Sequence, residues 1–174
     1  MKLNIMVVAL LCFYLLTSPV RAEDSGCILP KETAVIPLLD AKSLEVKEVF
    51  PPKKYLEGKR LTESLLMKDG TKIIYEVGGC AHYSFSFTYE NIKGLFPTNK
   101  KTVLEKALGL LQKTPILKGS NAPNKNILER ALIRAQTSDH KIENKILSLP
   151  CGDAICALEI KEPSALIISY DFAL

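Results

Sequence analysis

The stretch HYSFSFTYE, residues 82–90, alternates aromatic and polar side chains. Successive side chains of an extended chain point to opposite faces, so Tyr83, Phe85, Phe87 and Tyr89 share one side and His82, Ser84, Ser86 and Thr88 the other. Alternation this regular over a whole segment is the pattern of a half-buried strand. The chain has no Trp and only 6 Phe and 6 Tyr. Gathering several aromatics on one strand is an efficient way to fill an interior, and the aromatic side is expected to face the core. The hydroxyl ladder opposite is then exposed or lies under a partner.

Working outward toward the N-terminus, residues 61–67 and 71–77 read as two strands joined by the tight-turn pair Asp69-Gly70. An earlier strand is expected over 44–50, stopped by Pro51 and Pro52, which cannot donate to a ladder. Beyond Pro97 the period becomes helical. Thr98 or Asn99 caps a helix that returns Val103, Leu104, Ala107, Leu108 and Leu111 to one face, and Thr114-Pro115 ends it. Loop residues over 118–125 precede a second helix from about residue 125 to 136, which buries Ile127 or Leu128 with Ala131, Leu132 and Ala135. Apolar runs over 142–149, 154–160 and 165–172, parted by turn residues, read as a closing meander. Strands, two central helices and strands again define an α+β fold with a mostly antiparallel sheet.

The first residues carry an export pattern. Lys2 is followed by an unbroken apolar run over 5–16, a polar stretch to Arg21, and Val20 and Ala22 at the positions a signal peptidase reads. The run is short of the roughly 20 apolar residues that span a bilayer. Residues 1–22 are therefore expected to be a signal peptide and 23–174 a single domain, soluble after cleavage in a bacterial periplasm or outside the cell. Loss of Lys2 and Arg21 leaves 21 basic and 19 acidic residues, a net charge of +2. No single-sign field remains to recruit nucleic acid or an anionic membrane.

Removing Cys12 with the leader leaves Cys27, Cys80, Cys151 and Cys156, an even set that reads as two disulfides in an oxidising compartment. Three pairings are possible. The turn-forming Gly152-Asp153 between Cys151 and Cys156 favours a local bridge there, which leaves Cys27 with Cys80. Chain-entropy arithmetic assigns the long bridge roughly 4 kcal/mol and the short one roughly 2 kcal/mol.

Catalytic candidates are few. His82 beside Ser84, and Asp139 next to His140, are the places where a general base could sit. A Ser84–His82–Asp139 triad can be written on paper, but no Gly-x-Ser-x-Gly elbow fixes a nucleophile. Two distant histidines and paired sulfurs give no metal-ligand spacing, and no phosphate loop or dinucleotide fingerprint calls for a cofactor. The favoured reading is a non-enzymatic protein-binding module of the inhibitor, immunity or envelope-assembly kind. It would meet its partner through a sheet edge, the ladder His82, Ser84, Ser86 and Thr88, or the loop at Gly152 and Asp153. The alternatives are a small hydrolase or transferase using His82 or His140 as base, and a carrier holding an apolar ligand between the helices and the aromatic strand face.

Overall fold

The computed structural model describes residues 39–40, 42–55, 60–78, 82–93, 99–116, 125–161 and 163–173. The expected signal peptide, Cys27 and Cys80 lie outside the described residues, and His82 is described through its backbone alone. Seven strands are hydrogen-bonded in the order β1-β2-β3-β4-β7-β6-β5, and every neighbouring pair is antiparallel. They are β1 (Val46–Tyr55), β2 (Arg60–Met67), β3 (Lys72–Gly78), β4 (His82–Glu90), β5 (Ile146–Leu149), β6 (Ile155–Lys161) and β7 (Ala165–Ala173). Helices α1 (Lys100–Lys113) and α2 (Lys125–Thr137) lie in the chain between β4 and β5. Two meanders, β1–β4 and β5–β7, thus meet along one seam, where β4 pairs with β7 from His82↔Ala173 to Tyr89↔Leu166.

Three of the four aromatics on that side of β4 face the interior, and the side chain of Tyr83 lies outside the described residues. Phe85, Phe87 and Tyr89 are buried, flanked by Tyr75 and Ile73 on β3 and by Leu166 and Ile168 on β7. Their rings are in mutual contact: Tyr75 and Phe87 centroids are 5.1 Å apart, Phe85 and Tyr170 5.0 Å. Both helices turn their apolar faces onto this layer. Leu104, Ala107 and Leu111 of α1 and Leu128, Leu132 and Ala135 of α2 have no exposed surface and belong to the same buried cluster as the sheet residues. The Tyr89 hydroxyl lies 2.8 Å from the Thr114 hydroxyl at the end of α1, and Thr114 Oγ1 also donates to the Leu110 carbonyl. Burial pushes the Tyr89 phenol well above its ordinary pKa, so it remains a neutral hydrogen-bonding group.

Local chemistry sets the boundaries. The Asn99 side chain accepts from the Lys101 amide at 2.9 Å and caps α1, as expected from its preference for that position. At the other end Thr114 N bonds back to Leu111 O, and Pro115 has no N–H to continue the ladder. Asp69 Oδ1 accepts from Thr71 N at 2.8 Å, and Gly70 takes φ +90°, which closes the β2–β3 hairpin where the sequence places it.

Two expected boundaries are corrected. β1 runs through Pro51 and Pro52 to Tyr55, because it is an edge strand and its register shifts between Phe50 and Lys53, so the prolines interrupt no shared ladder. The run over 142–149 supplies only four strand residues. Asn144 and Lys145 take φ 50° and 67°, and Glu143 and Ile146 exchange both backbone hydrogen bonds at 2.8 Å, so its first half is a tight turn.

Phe87→Ala is expected to lower unfolding free energy by about 3–5 kcal/mol in urea titration, whereas Tyr89→Phe, which deletes one hydroxyl, costs about 1 kcal/mol. A near-neutral Phe87→Ala would contradict the buried position of this row.

Candidate functional site

With the helices on one face, a line of mostly short side chains crosses the other. Register places Glu76, Ser86, Ser169, Ala157 and Ser148 in one line across five strands, β3 to β5. A parallel line joins Ile74, Thr88, Ile167, Glu159 and Ile146, and a third joins Ser84, Asp171 and Ile155. The ladder Ser84, Ser86 and Thr88 is therefore extended by Ser169 and Ser148 of the second meander, residues that sequence reasoning did not single out. Their signal was the alternation of β7 and β5, but the pairing of β4 with β7 is a long-range fact that no local pattern contains. Ser84 Oγ donates to the Gly78 carbonyl at 3.2 Å, which ties one end of the ladder to the backbone of β3. Ile155 is 74% exposed and Ile146 44% exposed at the β6–β5 end of the face.

The loop between β5 and β6 borders this face. Cys151 and Cys156 are disulfide-bonded with Cα atoms 5.9 Å apart, the local pairing that the intervening turn favours, and Gly152 takes φ +73°. Gly152 and Asp153 are exposed at its tip. Ile155, one residue before Cys156, lies two strands from Ser84, roughly 10 Å at the usual inter-strand spacing. The disulfide loop and the hydroxyl ladder are thus parts of one surface.

Both sheet edges are blunted. On β5 the outward carbonyl and amide of Ile146 are taken by Glu143, and the outward carbonyl of Ser148 lies 3.1 Å from His140 Nδ1. On β1 two register shifts, Pro51, Pro52 and Lys53 break the regular row that another strand would need.

His140 lines a groove of about 490 Å³ beside β5, together with Lys141, Glu143 and Ser148. A carbonyl only accepts, so the Ser148 contact places the ring proton on Nδ1 and leaves Nε2 as the basic nitrogen of the neutral ring. Asp139 precedes His140 at this edge, whereas Ser84 is on β4, three strands and roughly 14 Å from β5. Ser84 and Asp139 are not brought together.

A second cleft, of about 460 Å³, opens at the end of the sheet between the β2–β3 turn, the residues after β4, and α1. Lys68, Lys93, Lys106 and Lys113 line it, with Asp69 and Glu105 as the only acids among the described lining residues. The amide of Thr71 holds the Asp69 carboxyl below its ordinary pKa, and the charges of Lys113 and Lys93 act in the same direction. Lys106 Nζ donates to the Lys93 carbonyl at 3.1 Å, which pins one wall to the other. The wall formed by α1 contains Gly109, where an added Cβ would meet nothing within 4 Å. Glycine inside a helix costs roughly 1 kcal/mol relative to alanine, and here no close packing calls for it.

One buried acid also escaped the sequence reading. Glu63 is 3% exposed on the core side of β2, between Leu61 and Leu65, and its Oε2 accepts from Leu39 N at 3.3 Å. Its placement at an odd position among alternating leucines was the available signal. The contact anchors residues 39–40, which also bridge to Ile116 and bond to Pro115. Among the described residues no group of three or more His, Cys, Asp or Glu could hold a metal ion, and no helix is long and apolar enough to cross a membrane. Comparison with protein-family models, curated proteins and solved structures returns no match.

Replacing Cys151 and Cys156 with serine is expected to lower stability by about 2 kcal/mol, the chain-entropy value for so short a loop, measured by urea denaturation. Two thiols that alkylate readily in the native wild-type chain would contradict the bridge.

Proposed function

We propose that this chain is an exported, non-enzymatic protein-binding module that presents the helix-free face of its sheet to a protein partner, with the Cys151–Cys156 loop at the border of the contact. The observation that carries this reading is the line Ser86–Ser169–Ala157–Ser148, a run of small side chains across four strands, with exposed Ile155 and Ile146 beside it. Short side chains let another backbone approach closely, hydroxyls supply donors and acceptors, and the isoleucines supply apolar area. A seven-stranded face with strands of about 20 Å covers roughly 600 Å², close to the ~800 Å² per partner of an ordinary stable interface. Blunted edges favour the face over strand addition. The leader-like residues 1–22 and the disulfide favour an extracytoplasmic setting, periplasmic or extracellular.

An apolar cargo would sit between the helices and the aromatic row, where Phe87, Tyr89, Leu104 and Leu132 are themselves buried. A hydrolase or transferase using His140 has in its favour the oriented ring and its groove.

Crosslinking in the native export fraction followed by affinity purification is expected to recover a stoichiometric protein with the wild-type chain. Ser169→Arg and Ile155→Asp should reduce recovery at least tenfold, while His140→Ala leaves it unchanged. Equal recovery by both face variants, or loss with His140→Ala alone, would contradict this reading.

A further inference from the structure

The lysine-lined cleft lies outside the sheet face and the disulfide loop, and its composition points to a ligand of its own. Its described lining carries four lysines against two carboxylates, an excess of two positive charges. Both acids are already counted in that balance, and each has a partner of its own. Asp69 is engaged by the Thr71 amide at 2.8 Å, and Glu105 is drawn toward Lys101, one turn back on α1, at 4.0 Å. Nor does capping account for the lysine in the last turn of α1. The carbonyls of Leu111, Gln112 and Thr114 accept from Lys125 Nζ at 3.2–3.3 Å, so the negative end of that helix is already served and Lys113 is left to the cleft.

Hydrogen bonds and one left-handed residue define the walls. Asn91, just after β4, is held at φ 61°, and the next amide, Ile92 N, bonds to Ser164 O at 3.0 Å. Lys106 is fixed by its bond to the Lys93 carbonyl. Gly109 removes a side chain from the helix wall between Lys106 and Lys113, one turn from each, where the fold itself leaves room for one.

We infer that this cleft binds a phosphate group, free or as a monoester, with Lys106 and Lys113 on either side of the gap left by Gly109 and with Lys68 and Lys93 completing the field. Among the described lining residues the cations are all lysines, which bind phosphate as point charges on its tetrahedral oxygens. A doubly charged phosphate matches the excess of two. The volume of about 460 Å³ admits a small phosphorylated molecule as well as the bare ion.

Isothermal titration of the purified chain at low ionic strength, with inorganic phosphate in one arm and ribose 5-phosphate in the other, tests the assignment. Saturable binding is expected in at least one arm. Tighter binding of the sugar phosphate identifies an ester as the ligand, and equal or tighter binding of the ion identifies free phosphate. Lys106→Gln combined with Lys113→Gln is expected to weaken binding by roughly tenfold or more. Gly109→Leu fills the gap and is expected to abolish binding while the melting temperature stays the same or rises, since leucine favours the helix. A response that does not saturate, or wild-type affinity retained in both variants, overturns the inference.

Discussion

The packing of one aromatic row under two helices is the constraint on which everything else in this molecule rests. Phe85, Phe87 and Tyr89 sit on the strand that joins the two meanders, so the residues that fill the interior are also those at the seam. β4 is hydrogen-bonded on both sides, to β3 and to β7, and its inner face is sealed by side chains from both helices. At a typical 1.5–3 kcal/mol for each large side chain fully buried, this row supplies a substantial share of the few kcal/mol by which proteins stay folded.

Sealing one face decides what the other can do. Period-two alternation obliges the residues between the aromatics to point away from the helices, and here they are Ser84, Ser86 and Thr88. The second meander answers with Ser169, Ala157 and Ser148 in register, which continues the line of short side chains over four strands. The edges are closed by different means, a returning turn and a histidine at β5, prolines and register shifts at β1. What remains available is a broad face with two exposed isoleucines and, at the end of the sheet, a cleft where turn, strand end and helix bring lysines together. The two surfaces differ in chemistry, one a sheet face of hydroxyls and isoleucines, the other a cleft lined by lysines.

Much of the architecture was legible in local sequence because local physics dictates it. The alternation of residues 82–90, the Asp69-Gly70 turn, the Asn99 cap and the helical spacing of Val103, Leu104, Ala107 and Leu111 each report a preference that operates over a few residues. The misread segments are those where tertiary position overrides such preference. Pro51 and Pro52 would stop a central strand, yet β1 lies at the edge; and residues 142–145 are consumed by a turn whose two left-handed residues, Asn144 and Lys145, carry no glycine to announce it. The hydroxyl ladder was half visible, since Ser84, Ser86 and Thr88 sit on one strand, while Ser169 and Ser148 join it only through pairing between distant segments. The lysine cleft was not visible at all. Lys68, Lys93, Lys106 and Lys113 are spread over the chain among many other lysines, and nothing in their spacing marks them apart from the fold that gathers them.

Because β4 and β7 pair over eight consecutive positions, the two meanders and the helices above them are expected to unfold as a unit. Native-state amide hydrogen exchange, followed residue by residue at increasing urea, measures this directly. Hydrogen-bonded amides of Phe85 to Tyr89 and of Leu166 to Tyr170 are expected to exchange only through global opening, with one common free energy and one common denaturant dependence. Separate isotherms for the two strands, with one meander opening while the other stays protected, would contradict it.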